Sequence, residues 1–169
     1  MTQTLHTPHR RTFLFTGAAL GLAAAAPAFA QEQRAFADAP QRKITDAEWR
    51  KMLPPNSYAV LRQEATEQPF TSPLLNEHRK GVFACLGCGL PLFNSEWKYD
   101  SHTGWPSFFD VIKANLGTKR DFKIIEERTE YHCARCLGHQ GHVFDDGPKP
   151  TGLRYCMNGV ALGFKPATA

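Results

Sequence analysis

Two C-x-x-C pairs, Cys85-Leu86-Gly87-Cys88 and Cys133-Ala134-Arg135-Cys136, constrain this chain more than any other feature. A C-x-x-C turn brings two sulfurs to one side. Two such turns supply four soft ligands in a tetrahedron, which suits zinc. Glycine follows closely in both, at Gly89 and Gly138. The pairs have 44 residues between them, too many for a self-contained zinc ribbon. The fold must therefore bring distant segments together, and one ion would staple them. The alternatives are two disulfides, one thioredoxin-like redox pair, or free buried thiols. Four thiolates leave no open coordination position, so the metal reads as structural.

The N-terminus bears on that choice. Residues 1–30 contain no Asp or Glu; they carry Arg10-Arg11, then a Gly/Ala/Leu-rich run, then Ala28-Phe29-Ala30. A basic start, a short apolar run and a small-x-small end describe a secretory signal, not a spanning helix. Arg10-Arg11-Thr12-Phe13-Leu14 resembles a twin-arginine export signal, which implies a periplasmic protein. A mitochondrial presequence is the alternative. Twin-arginine export carries folded proteins, so zinc would be loaded before any oxidising compartment is met. The expected organisation is a signal at 1–30, a flexible tether at 31–43 and one domain at 44–169. Without Arg10 and Arg11 the net charge falls from +4 to +2, which gives no argument for nucleic acid. No other segment is long and apolar enough to span a membrane.

Thr45-Asp46-Ala47-Glu48 reads as a capping box, opening a short helix that ends before Pro54-Pro55. A second short helix is expected at 58–64, and an extended or looped stretch at 66–75. Beyond Gly81 the segments are short, rich in aromatic and β-branched residues, and punctuated by Gly, Asn, Asp and Pro. Strands are expected at 81–84, 90–93, 122–128, 142–145, 153–158 and 161–164. The fold class is mainly β: an antiparallel, zinc-stapled single domain preceded by short helices.

The odd cysteine is Cys156, in Leu153-Arg154-Tyr155-Cys156-Met157-Asn158. On a strand, Arg154, Cys156 and Asn158 share one face, and Tyr155 and Met157 pack on the other. A nearby guanidinium favours the thiolate. Buried cysteine is also a common inert hydrophobe. Two further clusters favour chemistry. Gly138-His139-Gln140-Gly141-His142-Val143-Phe144-Asp145-Asp146-Gly147 holds two imidazoles and two carboxylates. Gly104-Trp105-Pro106-Ser107-Phe108-Phe109 is an aromatic loop in which Trp105 can wall a small apolar pocket.

Together these strings, with Ala65-Thr66-Glu67, Pro69-Phe70-Thr71 and Phe144-Asp145-Asp146-Gly147-Pro148, resemble the methionine-R-sulfoxide reductase B family over residues 44–166. The resemblance implies two small antiparallel β-sheets and reduction of the R epimer of methionine sulfoxide in peptides and proteins. It implies Cys156 as nucleophile and Trp105 as the holder of the substrate S-methyl group. His139, His142, Asp146 and Asn158 would surround the sulfoxide oxygen, directly or through water, and Arg154 would stand beside the nucleophile. Cys85, Cys88, Cys133 and Cys136 match the structural zinc site. Thiolate attack on sulfur with protonation of oxygen by an imidazolium leaves methionine and a sulfenic acid.

The departures also inform. Many members carry a resolving cysteine just before Gly-Trp-Pro-Ser-Phe, where this chain has Thr103 after His102. A one-cysteine cycle is therefore expected, closed by an external thiol or thioredoxin-like protein. Leu137 and Gln140 stand where the family usually has glycine and an apolar residue, and Gly159 replaces a usual hydroxyl residue. The default assembly is a monomer. The cage and the reactive site are expected to be separable by mutation. Two rival readings are a zinc-stapled binding module with an inert Cys156, and a zinc hydrolase using His139, His142 and Asp146 as ligands. Four thiolates would outcompete that second site for the metal.

Overall fold

The computed structural model describes residues 35–124 and 127–168. The signal expected at 1–30 lies outside the described residues.

Two helices open the domain. In α1 (Asp46–Met52) the capping box is complete: Thr45 Oγ1 accepts from the Glu48 amide, and Glu48 accepts from the Thr45 amide at 2.8 Å. The helix stops before Pro54 and Pro55 and buries Trp49. The second helix, α2 (Pro55–Gln63), starts with proline at N1 and ends on Glu64 in the left-handed region at φ 57°. It buries Tyr58, Val60 and Leu61.

Among the described residues nine short strands follow: β1 (Gly81–Cys85), β2 (Pro91–Asn94), β3 (Lys98–Tyr99), β4 (Ser107–Phe108), β5 (Leu116–Asp121), β6 (Arg128–Cys133), β7 (His139–Phe144), β8 (Arg154–Met157) and β9 (Leu162–Pro166). They form two antiparallel sheets, ordered β2-β1-β9 and β3-β4-β8-β7-β6-β5. The aromatic residues of the strands meet in the core. Phe93 stacks on Phe108 at 4.3 Å, and Tyr131 meets Tyr155 edge-on at 5.5 Å. The mainly β architecture expected from the strand rhythm is the one observed, with the two antiparallel sheets that the family resemblance implies. Among the described residues no helix is long and apolar enough to cross a membrane.

One local expectation changes. In the stretch expected as a strand at 122–128, residues 122–124 and 127 lie between β5 and β6, and Arg128 opens β6. Asp121 accepts the Lys123 amide at 2.9 Å and turns the chain, leaving Phe122 and Ile124 exposed. The true strands flank it, and their polar residues hid them. Two of the described residues before α1 also contact the domain. Arg42 Nη2 donates to Ala134 O at 2.7 Å, and Phe36 packs against the core.

Candidate active site and metal centre

Cys156 on β8 stands opposite His142 on β7 and Ser107 on β4. His142 in turn stands opposite Glu130 on β6. Directly opposed residues of antiparallel strands share a face, so Glu130, His142, Cys156 and Ser107 form one polar row across the larger sheet. Tyr155 and Met157 lie on the other face and join the core, as strand alternation requires. A cavity of about 100 Å³ opens on the row, walled by Trp105, His142, Cys156, Asn158, Thr66 and Arg128. At about 30 Å³ per water, that volume suits a group of a few heavy atoms.

The sequence-identified residues fall into three positions. Cys156, His142, Trp105 and Asn158 line the cavity. His139 lies behind His142, 5.4 Å away ring to ring, and its Nδ1 pairs with Glu130 Oε1 at 2.8 Å. Asp146 lies furthest out. Its carboxylate takes two hydrogen bonds from Arg154, both 2.8 Å, and it does not line the Cys156 cavity. The Arg154 charge favours the Cys156 thiolate, and its guanidinium stacks over Phe144 at 4.3 Å. Thr103, which stands in for the missing cysteine, also favours the thiolate. Its hydroxyl meets Ser101 Oγ at 2.8 Å, and Ser101 meets Ser107 Oγ at 2.7 Å.

The electrostatics differ from what strand proximity alone suggests. Burial pushes the Cys156 thiol up, and the Arg154 charge and the Thr103 hydroxyl offset this only in part. Burial pushes His142 down, against its hydrogen bond to Asp121 Oδ2 at 2.7 Å. Asp121 is held well below the usual carboxylate range, first by the Lys123 amide and then by His142 and Arg128. Burial works to raise Glu130, yet hydrogen bonds from His132 and His139 hold it at about 2. The imidazoles of His142 and His139 are thus each backed by a carboxylate that stays ionised.

Sequence reasoning missed four supporting residues. Asp121 and Arg128 face each other across β5 and β6, a pairing that a strand over 122–128 does not allow, so their side of the site was hidden. Nothing local marked Glu130 as the partner of His139. Glu67 sat inside a recognised string without a role. In the structure it ties the walls together: its carbonyl accepts from Trp105 Nε1 at 2.9 Å, its amide donates to Asn158 Oδ1 at 2.8 Å, and its carboxylate accepts from the Gly159 amide at 2.6 Å. A side chain at Gly159 would strike Ser72 Oγ at 1.9 Å, so the local hydroxyl comes from Ser72 and residue 159 must be glycine.

A profile described as the SelR domain matches residues 53–166. The chain is 50% identical over 122 residues to the peptide methionine sulfoxide reductase MsrB of Methanosarcina barkeri, covering 72% of this chain and 86% of that protein. The chain belongs to the methionine-R-sulfoxide reductase B family. A second relative, the MsrB of Agrobacterium fabrum, is 48% identical over 128 residues, covering 75% of this chain and 95% of its own. The chloroplastic peptide methionine sulfoxide reductase B1 of Arabidopsis thaliana is 49% identical over 120 residues, covering 70% of this chain and 59% of its own.

The metal centre of this reductase-family domain is assembled by the two sheets together. Cys85 and Cys88 follow β1 into its turn, while Cys133 and Cys136 follow β6. All four sulfurs lie within 4.8 Å of one another, with Cys85 to Cys136 at 3.6 Å and Cys88 to Cys133 at 3.4 Å. A tetrahedron with Zn–S of about 2.3 Å has S···S edges of about 3.8 Å, so the donor set fits zinc. Four sulfurs this close ionise together only around a cation. The two turns are built alike. Gly89 donates to Cys85 O at 2.8 Å and Leu137 to Cys133 O at 2.9 Å; Cys85 and Cys133 donate to Leu90 O and Gly138 O.

This equivalence corrects the pairing of Gly89 with Gly138. The left-handed positions are Gly89 at φ 71° and Leu137 at φ 60°. Gly138 serves packing instead, since a Cβ there would meet Leu61 Cδ2 at 2.9 Å. Leu137 is exposed and carries a backbone cost that glycine lacks. Leu137→Gly is therefore expected to stabilise the protein by about 1 kcal/mol. The denaturant midpoint of the zinc-loaded protein, compared with wild type, checks this.

Proposed function

We propose that this protein reduces the R epimer of methionine sulfoxide in peptides and proteins, using Cys156 as its single redox-active cysteine. The observation that carries the reading is the row His142–Cys156 under Trp105, closing on a cavity sized for a methylsulfinyl group. The names of the relatives support the substrate class. Trp105 receives the S-methyl group and His142 faces the oxygen. The Cys156 thiolate forms a bond to the substrate sulfur while the imidazolium of His142 gives its proton to the oxygen. The S–O bond breaks as the protonated oxygen passes to the cysteine sulfur, and the transient bond between the two sulfurs breaks with it. Methionine leaves and Cys156 becomes a sulfenic acid. An external thiol then displaces water to give a mixed disulfide, and a second thiol releases Cys156. A thioredoxin-like protein supplies both thiols. His139 with Glu130 supports His142, Asp146 holds Arg154 against the thiol, and Asn158 anchors the loop that carries Glu67. Zinc, when bound, supplies structure only.

Export is part of the proposal. The Arg10-Arg11 signal sends the folded, zinc-loaded protein to the periplasm, where it acts as a monomer repairing oxidised exported proteins. Changing both arginines to lysine in a tagged full-length protein should leave it in the cytoplasm; unchanged export contradicts this route.

An assay of both epimers of a peptide methionine sulfoxide, with dithiothreitol as reductant, tests the activity. Turnover of the R epimer alone is expected. Turnover of neither epimer by zinc-loaded protein overturns the reading.

The paired shifts set a pH profile. Cys156 is raised and His142 lowered, so the neutral thiol–imidazole pair dominates at rest around pH 7. The reactive ion pair differs only by moving that one shared proton, and has the same pH dependence. Single-turnover rates should be flat across neutral pH. They should fall on the acid side only below the usual histidine value of about 6.5, once the pair takes up a second proton. The alkaline fall, where the pair loses its proton, lies above the usual thiol value of about 8.5. Methionine release over a pH series checks this. An acid limb centred at the ordinary histidine value would contradict it.

A further inference from the structure

Gln140 lies between the cysteine cage and the nucleophile strand and is fully buried. Its Nε2 donates to Cys85 Sγ at 3.3 Å and to Gly138 O at 3.3 Å. Its backbone carbonyl accepts from the Asn158 amide at 3.0 Å and from Asn158 Nδ2 at 3.1 Å. Its Oε1 has no hydrogen-bond partner among the described residues. Burying an amide with an unsatisfied oxygen is costly. An apolar side chain of the same size would pack there without that cost, so stability alone does not account for glutamine here. The opposite amide orientation would press a carbonyl oxygen against an electron-rich sulfur.

A cage of four thiolates around a dication has a net charge of −2, and its Cys85 corner has almost no access to water. A buried N–H donor is then the available substitute for solvent at that sulfur. We infer that Gln140 is an outer-shell ligand of the zinc centre, whose N–H···S bond stabilises the Cys85 thiolate and slows loss of the metal. Partners of metal ligands are worth about 10–100-fold in affinity. The inference concerns metal retention and does not depend on the reductase reading.

The test uses the zinc-loaded protein with Gln140→Met and Gln140→Leu, and follows transfer of zinc to a chromogenic chelator at a temperature where all forms are folded. Methionine keeps the length of glutamine without a donor, so it remains informative if leucine misfolds. Transfer about tenfold faster than wild type is expected. A cobalt-substituted sample adds a readout that packing does not move. The sulfur-to-cobalt charge-transfer band should shift to lower energy in Gln140→Met, because a thiolate without its donor gives up electrons more readily. Zinc transfer from Gln140→Met at the wild-type rate overturns the inference.

Discussion

Changing Cys133 to serine is expected to remove zinc and most of the stability of the domain at once. Cys133 is wholly buried at the end of β6, and its sulfur meets that of Cys88, 45 residues away in the chain. The cage therefore joins segments that no local contact would hold. Structural zinc contributes on the order of 10 kcal/mol to folding in small domains. Stability in such domains is about 5–15 kcal/mol in total, so the loss leaves little or nothing. The turns are also tied to the helices. Arg62 of α2 donates to Cys136 O at 2.9 Å, and Arg42 donates to Ala134 O. Loss of the ion should therefore loosen the helices as well as the sheets. Metal content per chain, with circular dichroism at each temperature, checks both effects. A metal-free variant that melted with wild type would show that the ion is dispensable.

Changing Cys156 to serine should abolish reduction while leaving zinc content and fold in place. The hydroxyl is isosteric and can keep the contacts to Thr103 and Arg154. A serine hydroxyl is a far weaker nucleophile than a thiolate toward sulfoxide sulfur, and it cannot take up the oxygen as a sulfenic acid does. Loss of a catalytic nucleophile costs a thousandfold or more. The expected result is methionine release at background with an unchanged melting temperature. Residual turnover within tenfold of wild type would point to another nucleophile.

The separation of cage and site holds in one sense and fails in another. The thiols do not mix: Cys156 lies on β8 with Arg154, while the cage sits at the ends of β1 and β6. Yet β7 touches both, through the Gln140 side chain on Cys85 and its carbonyl on Asn158. Cysteine spacing exposed the cage because metal ligation fixes both residue type and interval. It did not expose the link, because a lone glutamine carries no such signature. The period-two face of 154–158 was legible for the same geometric reason that a strand pleats. The carboxylates behind the histidines were not, since Asp121 and Glu130 reach them through strand register. Register is a property of paired strands, and local sequence does not state it. Asp146 illustrates the converse. It lies close in sequence to His142, but the turn after β7 carries it outward to Arg154.

The one-cysteine cycle is the centre of this account. It is tested most directly by one turnover of a peptide R-sulfoxide without reductant, followed by intact and peptide mass spectrometry. The account predicts one added oxygen on Cys156, trapped by a sulfenic acid reagent, with the four cage cysteines unmodified. A disulfide between Cys156 and any cysteine of the same chain would contradict it.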